Sequence, residues 1–210
     1  MKKKVNNTNV FITKGDALQE RSDMLINWTI PRLNGGDKLF FRIHDQGSST
    51  IYKDCQRILA SLKQKESEGS GVAAGKAVVT TAGILPAKFI IHAVIPDSRA
   101  ERPDEQHRAL LQSTISNIFL LITQYNSTKE RINKVIFTPV SSFIYGSQHN
   151  SNAAQTLISA LLVFAETCEM RTIKIVCETP EEYNLYSKEL YKQTSSGIER
   201  FINKLFKLSI

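Results

Sequence analysis

Three short stretches hold the residue types that could do chemistry. Gly15-Asp16 sets a carboxylate in a turn. A carboxylate accepts hydrogen bonds, and Asp after Gly equally well closes an Asx turn on itself. Asn27 to Asp37 carries an asparagine and the pair Gly35-Gly36, in a loop ended by a change to helical patterning. Thr138 to Gly146 combines Ser141, Ser142, Phe143, Ile144, Tyr145 and Gly146 in a polar loop with an aromatic centre. A polar connection with Tyr145 packed on its neighbours would have the same composition.

Other signals fail on spacing. Gly71 to Lys76 has the look of a P-loop, but Ser70 stands where the first glycine must be. Ala77 then offers no hydroxyl to magnesium. Ser141 and Ser142 have no nucleophile-elbow sequence and no identifiable base. Glu181-Glu182 are better explained as acids in the first turn of a helix. His44, His92, His107 and His149 are too dispersed to make metal ligands, so no metal and no cofactor is expected. Cys55, Cys168 and Cys177 are odd in number and lack Cys-x-x-Cys spacing, which points to buried, reduced thiols.

The elements that must position these residues alternate between strand and helix. Strands are expected at Asn9–Thr13, Met24–Trp28, Ala77–Thr81, Phe89–Ile95, Lys134–Thr138 and Thr172–Cys177. Helices are expected over about Lys38–Leu62, interrupted at Gly47, then Pro103–Tyr125, Ala153–Cys168 and from Pro180 onward. A further amphipathic helix, about 195–208, puts Ile198, Phe201, Ile202, Leu205 and Phe206 on one face and is expected to dock on the body. This alternation is the signature of an α/β protein with a largely parallel, helix-covered sheet. Loops 15–17, 27–37 and 139–147 each follow a strand and should share one rim, where ligands bind in such sheets.

With 210 residues, 41% apolar and 22% charged, the chain fits a single domain spanning 1–210 with its core at about 9–190. No apolar run could span a bilayer. The basic start Met1-Lys2-Lys3-Lys4 has no hydrophobic stretch behind it, so an intracellular, cytoplasmic location without a membrane partner is expected. A net charge of +7 favours anionic partners. It is too diffuse to establish a nucleic-acid site.

The stretch Gly75 to Val94 closely resembles the "G-x-a…T-x-G…L-P-a-K-y-I-I-H-x-V" core of macro domains, about twenty positions in one register. The resemblance extends from about Phe11 to Tyr186. It implies a three-layer α/β/α fold with a mixed, largely parallel central sheet, and a cleft that binds ADP-ribose or a related adenine nucleotide. By the same resemblance, Asp16 would receive the adenine amino group, with Ala17 beside it. Asn27 matches the first asparagine of the family's "N-A-A-N". Gly35 and Gly36 are what remains of a glycine run whose backbone N–H groups approach the diphosphate. Ser141 to Gly146 match the second phosphate loop, "P-A-[IV]-S-[TS]-G-I-[YF]-G", with Tyr145 covering the distal ribose and Phe143 replacing a glycine.

The departures matter as much. Ile30 stands where the family has its distal-ribose asparagine, and isoleucine cannot hydrogen-bond a hydroxyl. Phe40 stands where hydrolases of the family place an aspartate, while His44 keeps the histidine of their "I-H" pair. Asp37 would repel a phosphate. Binding, weakened by the degenerate first loop, is therefore expected ahead of enzymatic activity. Two alternatives stay open: a hydrolase that removes ADP-ribose from proteins or small molecules, and an interaction module that contacts protein or nucleic acid without a nucleotide. ADP-ribosylated protein is a further candidate partner.

Overall fold

The computed structural model describes residues 1–63, 71–96, 104–128, 130–140 and 145–206, with side chains of the last helix described to Ser195. Among these residues, seven strands form one sheet: β1 (Lys2–Val5), β2 (Thr8–Lys14), β3 (Ser22–Thr29), β4 (Ala77–Thr81), β5 (Ala87–Val94), β6 (Lys134–Phe137) and β7 (Thr172–Cys177). Their order across the sheet is β1-β2-β7-β6-β3-β5-β4. The pairs from β2 to β5 are parallel, and only β1 and β4 at the edges run antiparallel to their neighbours. The mixed, largely parallel sheet read from the sequence is therefore the one observed.

Alternation along β3 explains the layers. Met24, Ile26 and Trp28 face one core, shared with α3 (Asp104–Thr128), α4 (Asn150–Thr167) and α5 (Pro180–Phe206). Leu25 faces the other core, under α1 (Lys38–Gln46) and α2 (Ser49–Lys63). Because both faces are covered, β3 and β5 read as nearly continuous apolar runs.

Three elements differ from the expected ones. β1 was absent from the expectation because its lysines have low strand propensity; it forms as an edge strand, where lysine discourages pairing with another chain. The Met1 amino group donates to the Ile12 carbonyl at 2.6 Å and fixes its start. The expected long helix at 38–62 is two helices, since Ser48 adopts φ 85° after Gly47. The break admits the 82–85 turn. Ile84 N–H donates to Gly47 C=O at 3.1 Å, and a Cβ on Gly83 would lie 1.7 Å from that oxygen. Finally, α5 runs unbroken through Gly197 to Phe206, so the apolar tail continues the helix that starts at Pro180. How the side chains beyond Ser195 pack lies outside the described residues.

Candidate functional site

Parallel order brings the C-terminal ends of β2, β7, β6 and β3 to one rim. Ligands of open α/β sheets bind there. The segments leaving this rim are 15–16, 30–37, 138–140 and Glu178.

At the β2 corner, Asp16 caps the short turn Ala17–Gln19, and its Oδ1 accepts from the Leu18 N–H at 3.0 Å. Oδ2 is paired with the Arg42 guanidinium, which α1 extends across the rim. Arg42 Nη1 also donates to Glu178 Oε1 at 2.6 Å. Partial burial works against the Asp16 carboxylate, but the Arg42 hydrogen bond, the Leu18 N–H and the positive charge outweigh it and hold the pKa below the usual range. Ala17 is buried and packs in the core under α1 and α2.

The loop after β3 is tightly tied. Thr29 Oγ1 donates to the Gly35 carbonyl at 2.7 Å, and Leu33 N–H to the Ile30 carbonyl at 3.0 Å. Gly36 is pressed between neighbours: a Cβ there would sit 2.7 Å from Phe40 Cβ and 3.1 Å from the Trp28 carbonyl. Ile30 Cδ1 lies 3.0 Å from where a Gly35 Cβ would stand, so Ile30 lies against that glycine. Asp37 is the N-cap of α1, its Oδ1 accepting from Phe40 N–H at 3.2 Å. It thereby takes a helix-terminal donor of the kind that anions use.

Asn27 is 0% exposed and points beneath the rim, toward α1 and α2. Its Nδ2 meets His92 Nδ1 at 3.1 Å, and His92 Nε2 meets Thr80 Oγ1 at 2.9 Å. With the proton assigned to Nε2, Asn27 donates, His92 relays and Thr80 donates onward to the Thr81 carbonyl at 3.0 Å. Cys55 Sγ lies 3.8 Å from the same ring nitrogen. Burial, with help from His44, pushes the His92 pKa down to about 3, so the ring is neutral. Burial raises the Cys55 thiol to about 11, too high for a nucleophile at neutral pH. Asn27 Oδ1 and His44 Nε2 are buried with no hydrogen-bond partner among the described residues. His44 is instead packed at 4.4 Å, centroid to centroid, on Phe40, which is 4% exposed.

On the β6 side, the Trp28 indole N–H donates to the Thr138 carbonyl at 3.1 Å, and Val140 N–H donates to Tyr186 Oη at 2.8 Å. Tyr145 is 2% exposed, its ring 4.5 Å from that of His107. Gly146 adopts φ 96° and precedes the turn Ser147–His149. Ser141, Ser142, Phe143 and Ile144 lie outside the described residues.

Of the residues singled out in the sequence, Asp16, Gly35 and Gly36 come to the common rim, and Tyr145 and Gly146 belong to the segment after β6. Asn27 sits one layer below. Sequence reasoning missed Arg42 and Glu178. Glu178 was findable, because it directly follows a strand ending at this rim. Nothing in the spacing of α1 pointed Arg42 at Asp16. No cluster suited to a metal ion is present among the described residues. No described helix is long and apolar enough to cross a membrane.

A family model described as Macro domain matches residues 26–157. The chain is 31% identical to O-acetyl-ADP-ribose deacetylase 2 of Pantoea vagans over 181 residues, covering 86% of this chain and 98% of that protein. Among solved structures it resembles the Oceanobacillus iheyensis macrodomain with ADP, at TM-score 0.82 and 22% identity, over 93% of this chain and 97% of the other. A Trypanosoma brucei macrodomain in complex with ADP-ribose aligns at TM-score 0.68 and 21% identity, over 85% and 68% of the two chains.

Proposed function

Because this chain belongs to the macro-domain family, we propose that it binds ADP-ribose or a related adenine nucleotide at the rim formed by β2, β7, β6 and β3. The observation that carries the reading is Asp16: a partly open, ionised carboxylate at the β2 corner of the same rim that bears Gly35 and Gly36. Its free lone pairs would accept the adenine amino group. The diphosphate would lie along Gly35, Gly36 and the segment Ser141 to Gly146, with Tyr145 forming part of the wall near the distal ribose. Asn27 would support the floor through His92. Binding is weakened by Asp37, whose carboxylate occupies the α1 N-terminus and repels phosphate.

Calorimetric titration with ADP-ribose, AMP and a single-stranded oligonucleotide tests this. Saturable ADP-ribose binding that disappears in a folded Asp16→Ala variant supports it; no heat from any adenosine ligand at millimolar concentration ends it. Binding of the oligonucleotide alone, steeply dependent on salt, would favour the non-nucleotide interaction module.

A second reading, ester or glycosidic hydrolysis, draws on the deacetylase names of the relatives. Against it, Phe40 and Ile30 occupy the positions where the family resemblance calls for an aspartate and an asparagine, and the buried Phe40 ring can neither position water nor take a proton. Release of acetate from O-acetyl-ADP-ribose, or of ADP-ribose from a modified protein, measures that activity directly.

A further inference from the structure

Arg42 sits between two carboxylates that leave neighbouring parallel strands. Lys14 and Cys177 are register partners, so Asp16 and Glu178 follow the sheet side by side. The Arg42 guanidinium joins them, and its side chain and that of Asp16 remain 23% and 33% exposed. A guanidinium carries five N–H donors, of which the two carboxylates engage one at each terminal nitrogen. The Asp16 oxygens each keep a further lone pair. The open rim therefore presents an acceptor and donors next to one another.

The charges here are engaged with one another, so hydrogen-bonding groups decide what fits. Two carboxylates and one guanidinium meet at this corner, Lys38 adds a positive charge close enough to act on Asp16, and the Glu182 carboxyl behind them accepts from the Glu178 and Thr179 N–H groups at 3.0 and 3.2 Å. A neutral heterocycle with a hydrogen-bond donor beside an acceptor is complementary.

We propose that Arg42 is a specificity-determining residue: paired with Asp16, it reads the amino-and-ring-nitrogen edge of the base. Asp16 accepts from the exocyclic amino group while Arg42 donates to the adjacent ring nitrogen. The inference rests on the nucleotide-binding reading above and adds to it a second base-reading residue, Arg42, supplied by α1. A base with a keto oxygen in place of the amino group turns that oxygen toward the Asp16 carboxylate and is rejected, since an unpaired polar group at a recognition edge is costly.

The test is calorimetry of wild type, Arg42→Met and Arg42→Lys with ADP, UDP and ribose 5-phosphate. Wild type should prefer ADP to UDP by about tenfold or more. Arg42→Met should lose about tenfold in ADP affinity while ribose 5-phosphate changes by less than about twofold, so that the ADP preference collapses. Arg42→Lys should retain part of the preference, and it supplies the readout if the methionine variant does not fold. The proposal is overturned by an Arg42 variant that keeps the wild-type ADP preference, by parallel loss of ADP and ribose 5-phosphate, which marks a merely structural role, or by a wild type indifferent to the base. In each of those cases nucleotide binding itself stands. Wild type that binds no adenine ligand overturns both.

Discussion

The indole N–H of Trp28 donates to the carbonyl of Thr138 at 3.1 Å, tying the end of β3 to the end of β6 beneath the rim. Trp28 is fully buried and belongs to the core on the α3, α4 and α5 side. Trp28→Phe removes the donor and leaves a cavity. It should destabilise the protein by about 2–4 kcal/mol, combining an unsatisfied carbonyl with lost packing. Urea denaturation measures this. A loss well under 1 kcal/mol would mean the tie is dispensable.

Asp37 sets stability against binding. Asp37→Ala deletes the N-cap bond to Phe40 N–H and should cost about 1 kcal/mol. The same change removes a negative charge and frees backbone donors for a phosphate. ADP-ribose affinity should therefore rise several-fold, most clearly at low salt. Paired thermal melts and calorimetry read both signs. Affinity that falls along with stability would contradict the assignment of this helix end to phosphate.

Gly36 tests how closely α1 is pressed against the loop. Gly36→Ala places a methyl within 2.7 Å of Phe40 Cβ, and neither neighbour is the free end of a flexible chain. Overpacking of this kind costs about 1–3 kcal/mol. It should also weaken nucleotide binding, because the start of α1 must shift. A variant as stable as wild type would show that the loop yields more readily than its ties suggest.

His92 gives the protein a pH dependence of definite sign. Unfolded, the ring titrates near 6.5; folded, burial holds it at about 3. Above the unfolded value neither state is protonated, and stability does not depend on this group. As pH falls below it, only the unfolded state takes up the proton, so stability drops on the order of 1 kcal/mol per pH unit. His44, also lowered by burial, acts in the same direction. Asp16, Glu20 and Asp23 have depressed pKa values, and their stabilisation is lost only as pH falls through the carboxylate range. Glu182, raised by burial, acts in the opposite direction, so the slope between about pH 6.5 and 5 is the histidine loss less what Glu182 offsets. His92→Gln should flatten it in a melting-temperature series. An unchanged slope would assign the effect elsewhere.

Much of the fold could be read from residue patterns, because burial on both faces writes apolar runs into parallel strands. Met24–Trp28 and Phe89–Ile95 are such runs, and they became β3 and β5. β1 was illegible for the opposite reason: an edge strand of lysines has no apolar pattern to read. The break after Gly47 was visible as a glycine, but its geometry depends on the 82–85 turn, remote in sequence. The site was legible in part. Asp16, Gly35 and Gly36 follow strands and were placed by that alone. The depth of Asn27 was not, since alternation along a strand tells faces apart but not rim from floor. Arg42 depends on a helix crossing from β3 to β2, a tertiary relation that no local spacing encodes.

The strand order has a last consequence for assembly. The four rim segments come from residues 15–16, 30–37, 138–140 and 178, and β7 stands between β2 and β6 although it is made last of the strands. Until β7 inserts, Asp16 and Glu178 have no common neighbour and Arg42 has nothing to bridge. If the proposed site is right, a growing chain gains its ligand corner only once nearly all of the sheet has emerged. On the proposed reading, nucleotide capture would report completion of the whole sheet rather than of any part of it.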